Sequence, residues 1–109
     1  MTTFDDRERA FETKYAHDEA LRFRVIARRN RLLGGWAARL MGLSDAEADA
    51  YAKDVIRADF EEAGDEDVIR KLLGDLTAAG VETDDSKIRE ALAHKEVEAR
   101  RQIIESTDL

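Results

Sequence analysis

The sequence predicts an all-α protein folded as a four-helix bundle, and three observations carry that prediction. No proline occurs in 109 residues, where average usage would place about 5%. The apolar residues are largely Ala and Leu rather than β-branched, which favours helix over strand. In four segments they recur at steps of three and four, the period of one helical face. A chain of this length buries one modest core, so a second globular domain is excluded.

The expected helices run over about 18–41, 44–63, 65–79 and 85–105. The first carries Leu21, Val25, Ile26, Leu32, Leu33, Trp36, Ala37 and Leu40 on one broad stripe and stops at Gly42. The second opens with Ser44-Asp45-Ala46-Glu47, the order of a capping box, with Leu43 placed to staple onto Ala48. Its stripe of Ala48, Tyr51, Ala52, Val55, Ile56, Phe60 and Ala63 ends at Gly64. The third is expected to be capped by Asp65, and Val68, Ile69, Leu72, Leu73, Leu76 and Ala79 form its seam up to Gly80. That seam is the purest in the chain and belongs in the middle of the core. The fourth starts near Asp84 to Ser86 and carries Ile88, Ala91, Leu92, Ala99 and Ile103 on one side. Linkers of a few residues make successive helices antiparallel neighbours.

Residues 1–17 differ from the bundle at 18–109, since they offer few apolar positions among dense charge. Phe4, Phe11 and Tyr15 nevertheless fall within about 40° of one another on a helix. A ridge that thin does not hold a short helix in water by itself. The segment is therefore expected to be flexible in isolation and conditionally helical, taking its shape when a partner supplies apolar surface. A solvated tail without a further role is the competing reading.

Composition removes most chemistry. With no Cys and two His, disulfides, thiolate metal sites and His-rich metal centres are excluded, and no cofactor is expected. The acids of 59–67 flank helix ends, where the helix dipole accounts for them without catalysis. P-loop, dinucleotide-binding, calcium-loop and zinc motifs are all missing, so no enzyme is expected. No apolar run of about 18 residues exists and the N-terminus lacks a signal-peptide layout, so a cytoplasmic protein with no direct membrane insertion is expected.

Charge is unevenly spread: six arginines and no acid lie between Glu19 and Asp45, in a chain of net charge −7. Arg24, Arg28, Arg31 and Arg39 fall along one flank of the first helix, while Arg22 and Arg29 fall on its apolar side. Those two either project beyond the bundle or find carboxylate partners. Nucleic acid is not the expected partner, because the overall charge repels phosphate.

The stretches FDDRERAFETKYAHDEALRF, ARRNRLLGGWAA and YAKDVIRADFEEAGDEDVIRK closely resemble the zeta subunit, the ATPase inhibitor subunit, of alphaproteobacterial F-type ATP synthases. The resemblance spans essentially the whole chain, with Thr13 and Gly35 departing from the family's pattern. It implies a regulatory inhibitor whose N-terminal segment becomes helical as it inserts between the catalytic alpha and beta subunits near gamma. There it blocks ATP hydrolysis and leaves synthesis largely free. Carried over by position, the resemblance makes Phe4, Asp5, Arg7, Glu8, Phe11, Glu12, Lys14 and Asp18 inhibitory contacts. Tyr15 joins them through the aromatic ridge, and Arg22 and Arg29 are candidates for secondary contact. The implied partner is the catalytic head of the ATP synthase, with the protein peripheral to the inner membrane when bound and monomeric when free. The alternative is a helical adaptor that uses the same segment on an unrelated protein.

Overall fold

Helical periodicity becomes four helices in the computed structural model: α1 Thr3–Leu40, α2 Asp45–Asp59, α3 Glu66–Ala78 and α4 Asp85–Thr107. The structure describes the backbone of residues 3–59 and 64–107, and the side chains of residues 18–58 and 64–106. Phe60 and Ala63, expected on the stripe of α2, lie outside the described residues, as do the side chains of the N-terminal aromatic ridge.

The helix ends follow from local chemistry. At the start of α2 the capping box is complete: Ser44 N–H donates to Glu47 Oε1 at 3.0 Å, and Glu47 N–H donates to Ser44 Oγ at 3.2 Å. Lys87 N–H donates to Asp84 Oδ1 at 2.8 Å and caps α4 in the same way. Two helices end alike. Gly42 and Gly80 take φ of +74° and +81°, a region where a side chain is strained. Behind each glycine the next amide folds back, Leu43 N–H onto Ala38 O at 3.0 Å and Val81 N–H onto Leu76 O at 2.9 Å. These bonds satisfy carbonyls that the ending helix leaves open.

Leu33, Ala37, Val55, Val68, Ile69, Leu72, Leu76, Ile88 and Leu92 pack into the central core, with Trp36 and Tyr51 partly buried against it. The seam of α3 lies in the middle, as its sequence demands. Two described positions read as apolar stripe are exposed: Leu40 is 47% exposed at the end of α1, and Ala79 is the exposed C-cap of α3. A second cluster joins Val25 of α1 to Ala99 and Ile103 of α4, flanked by Leu21 and Leu32. α1 and α2 meet closely at Gly34, where a Cβ would lie 2.8 Å from Ala52 Cα. A side chain there would hold the two helices apart.

α1 begins at Thr3 and not near Asp18. No Gly or Pro interrupts residues 3–20, and a helix nucleated farther along extends backwards without a second nucleation cost. Its 38 residues span about 57 Å at 1.5 Å per residue, whereas the 23 residues of α4 span about 35 Å. Arg29 meets Glu96, and one turn earlier Val25 meets Ala99 and Ile103, so α1 and α4 run antiparallel. That register brings the end of α4, Thr107, level with α1 near Asp18. Residues before it run past the end of α4.

Candidate interaction surface

Where α1 approaches that end, Asp18, Arg22, Val25, Ile26 and Arg29 share one face, since their spacing repeats every three or four residues. With Gly64 and Asp65 ahead of α3, and Glu96, Arg100 and Ile104 on α4, they line an open groove of about 660 Å³. Its floor is aliphatic and its rim carries both signs of charge. Among the described lining residues there is no Ser, Thr, Cys, His, Lys or Tyr, and the polar groups are the carboxylates and guanidiniums of Asp18, Asp65, Glu96, Arg22, Arg29 and Arg100. Among the described residues no group of His, Cys, Asp or Glu is placed to hold a metal ion.

Arg29 is the anchor of this end. It is 1% exposed, and its guanidinium donates to Asp65 Oδ1 at 2.9 Å and to Glu96 Oε1 at 3.3 Å. Nε and an Nη also donate to Asn30 Oδ1 at 3.0 and 2.9 Å. A cation taken out of water needs such paired acceptors. Asp65 thereby gives up the role expected of it: it stands at the N-cap of α3, but its side chain makes no cap hydrogen bond. A charge-assisted bond to a buried guanidinium outweighs a cap. The flanking Glu66 holds Arg89 of α4, Oε1 and Oε2 accepting at 3.0 and 2.8 Å. That bidentate pair holds the Glu66 carboxyl below its ordinary range and pushes the Arg89 guanidinium up, Asp85 adding to the latter.

The opposite side of α3 is tied to α2. Tyr51 donates to Asp75 Oδ2 at 2.7 Å, and Lys71 Nζ reaches the same oxygen at 3.0 Å while lying 5.1 Å from the ring centroid. Burial, and then the Asp75 carboxylate, push the Tyr51 hydroxyl well above its ordinary value. These contacts form a strut between α2 and α3.

Of the site residues expected from sequence, Phe4, Asp5, Arg7, Glu8, Phe11, Glu12, Lys14 and Tyr15 belong to the backbone of α1, and their side chains lie outside the described residues. Asp18 and Arg22 are exposed and line the groove. Arg29 is also there, but its guanidinium is turned inward onto Asp65 and Glu96. Sequence reading missed the other half of the groove, Glu96, Arg100 and Ile104. Arg29 on an apolar stripe, with carboxylate partners as one of its two expected outcomes, was the available signal, and periodicity does not say which acids answer it.

Fold and groove together define a small helical protein with an open groove of aliphatic and charged side chains at one end of α1 and α4. Among the described residues no helix is long and apolar enough to cross a membrane. The ATPase inhibitor subunit zeta family matches residues 1–102, and the chain belongs to that family. Its general role is therefore that of an ATPase inhibitor subunit. A protein solved by solution NMR is similar in fold, with a TM-score of 0.70 and 42% identity over 79% of this chain and 98% of that one. No curated protein matches the chain.

Proposed function

We propose that this chain restrains an F-type ATP synthase by inserting residues 1 to about 18 between the catalytic alpha and beta subunits beside gamma, stopping rotation during ATP hydrolysis. The observation that carries the reading is the register of α1 on α4, by which the N-terminal part of α1 extends beyond the end of its neighbour. An extension of α1 that costs no new nucleation but buries little apolar surface frays readily, so the segment is flexible when free and is fixed by the partner. On insertion Phe4, Phe11 and Tyr15 enter the interface, each worth about 1.5 to 3 kcal/mol of burial against the entropy of ordering. Asp5, Arg7, Glu8, Glu12, Lys14 and Asp18 fix its register through polar contacts. The free protein is a monomer at the cytoplasmic face, peripheral to the membrane when bound to the enzyme.

Deleting residues 2–17 tests this directly. The shortened chain keeps its per-residue helical signal over the bundle and its melting temperature, and loses inhibition of the purified ATPase. Full inhibition by the shortened chain would overturn the assignment, and binding of the intact chain to an unrelated protein alone would favour an adaptor.

A further inference from the structure

We infer that the outward row of arginines on α1, led by Arg24 and Arg28, is a second docking surface for a carboxylate-rich protein face on the ATP synthase head. The inference rests on the function proposed above and adds a contact outside the inserted segment. Arg24, Arg28, Arg31 and Arg39 are all exposed and fall within an arc of about 80° on the helix. Elsewhere on the surface several exposed cations find partners in the protein itself, Lys53 with Asp49, Arg57 with Asp54, Arg70 with Asp67 and Arg89 with Glu66, while Arg22, Lys87, Arg100 and Arg101 are exposed singly and not in a row. In the row, Arg31 reaches Asp49 at 3.4 Å. Among the described residues no carboxylate lies within ion-pair distance of Arg24 or Arg28.

Like charges one turn apart oppose the helix that bears them. Segregating them in an acid-rich chain therefore calls for carboxylates from outside. Screening confines the effect to short range at physiological salt, so this local row acts despite the net charge of −7. Guanidinium forks match carboxylates in pairs. Nucleic acid fits less well, because its affinity comes from many phosphates along an extended backbone and the row is short. Position supplies the last element. α1 is continuous from Thr3 to Leu40, so the row sits on the same rod directly behind the inserted segment. It would meet the rim of the site that the segment enters.

The test is the rate at which the full-length chain associates with the purified ATP synthase head across a salt series. The wild type is compared with Arg24→Gln/Arg28→Gln, with Arg24→Lys/Arg28→Lys and with Arg70→Gln as a surface control. The expected result is an association rate about tenfold lower for the Gln pair at low salt, converging with wild type as salt rises. The Lys pair keeps most of the rate, Arg70→Gln is unchanged, and inhibition at saturating protein is preserved throughout. Equal rates and equal salt dependence for wild type and the Gln pair would overturn the docking surface while leaving the inhibitor reading intact. A wild-type chain that fails to bind the head would overturn both. A DNA mobility shift lost in the Gln pair would overturn the carboxylate partner in favour of phosphate.

Discussion

Gly34 and Gly35 are adjacent in sequence and opposite in what they permit. A Cβ at Gly34 would stand 2.8 Å from Ala52 Cα and 3.2 Å from Val55 Cγ2, whereas one at Gly35 meets nothing within 4 Å. Both lie inside α1, where Ala is the better helix former. Gly35→Ala is therefore expected to stabilise by about 0.5 to 1 kcal/mol. Gly34→Ala forces backbone apart and is expected to destabilise by about 1 to 3 kcal/mol. Urea unfolding followed by far-UV circular dichroism measures both, and a neutral Gly34→Ala would show that the two helices do not meet as described. The resemblance marked Gly35 as the unusual position, yet it is Gly34 that the packing requires. Sequence alone does not separate them, because close approach depends on which face of α1 receives α2. Arg29 teaches the same lesson. Its place on an apolar stripe left two outcomes open, projection beyond the bundle or carboxylate partners, and only the third dimension decides for Asp65 and Glu96.

The starts of α2 and α4 and the stops of α1 and α3 were legible, because each is decided by chemistry within a few residues. Ser44 and Glu47 satisfy each other's amides, and Gly42 and Gly80 supply the turns. The start of α3 was less legible, since Asp65 had a stronger partner than its own helix. Two carboxylates at these starts carry a pH dependence. The Glu47 carboxyl is held below its ordinary 4.5, chiefly by the Ser44 amide, and Glu66 is held below 4.5 by Arg89. A carboxyl lowered by folding stabilises above its unfolded value, and that support is lost as pH falls through the folded value. The melting temperature is thus expected to hold from neutral pH down to about 5 and then to fall below about 4.5. Glu47→Gln/Glu66→Gln starts lower and descends less steeply over that window. An identical acid slope in the double variant would show that these two groups are not responsible. Both are exposed, so the effect is a modest part of the acid transition.

At the scale of the whole molecule, the central question is how far the bundle supports its longest helix. The core of Leu33, Val55, Leu72, Leu76 and Ile88 holds the middle of α1, and Val25 with Ala99 and Ile103 extends that hold toward the end of α4. Before Asp18, α1 runs beyond the level of Thr107, the last described residue of α4. Amide hydrogen exchange should report this as a gradient, because local opening is cheap where a helix has only its own hydrogen bonds. In the free protein the amides over 25–38 are expected to exchange slowly, through near-global unfolding, and those over 3–17 within the shortest labelling times. Adding the ATP synthase head should extend protection toward the N-terminus and leave rates over 66–78 in α3 unchanged, since the apolar face of that helix is already buried in the core. Slow exchange of 3–17 in the free chain would mean that the segment is settled without a partner, and the conditional helix would have to be abandoned. Protection that stayed confined to 25–38 with the head bound would instead move the contact surface from the N-terminal segment to the groove or the arginine row.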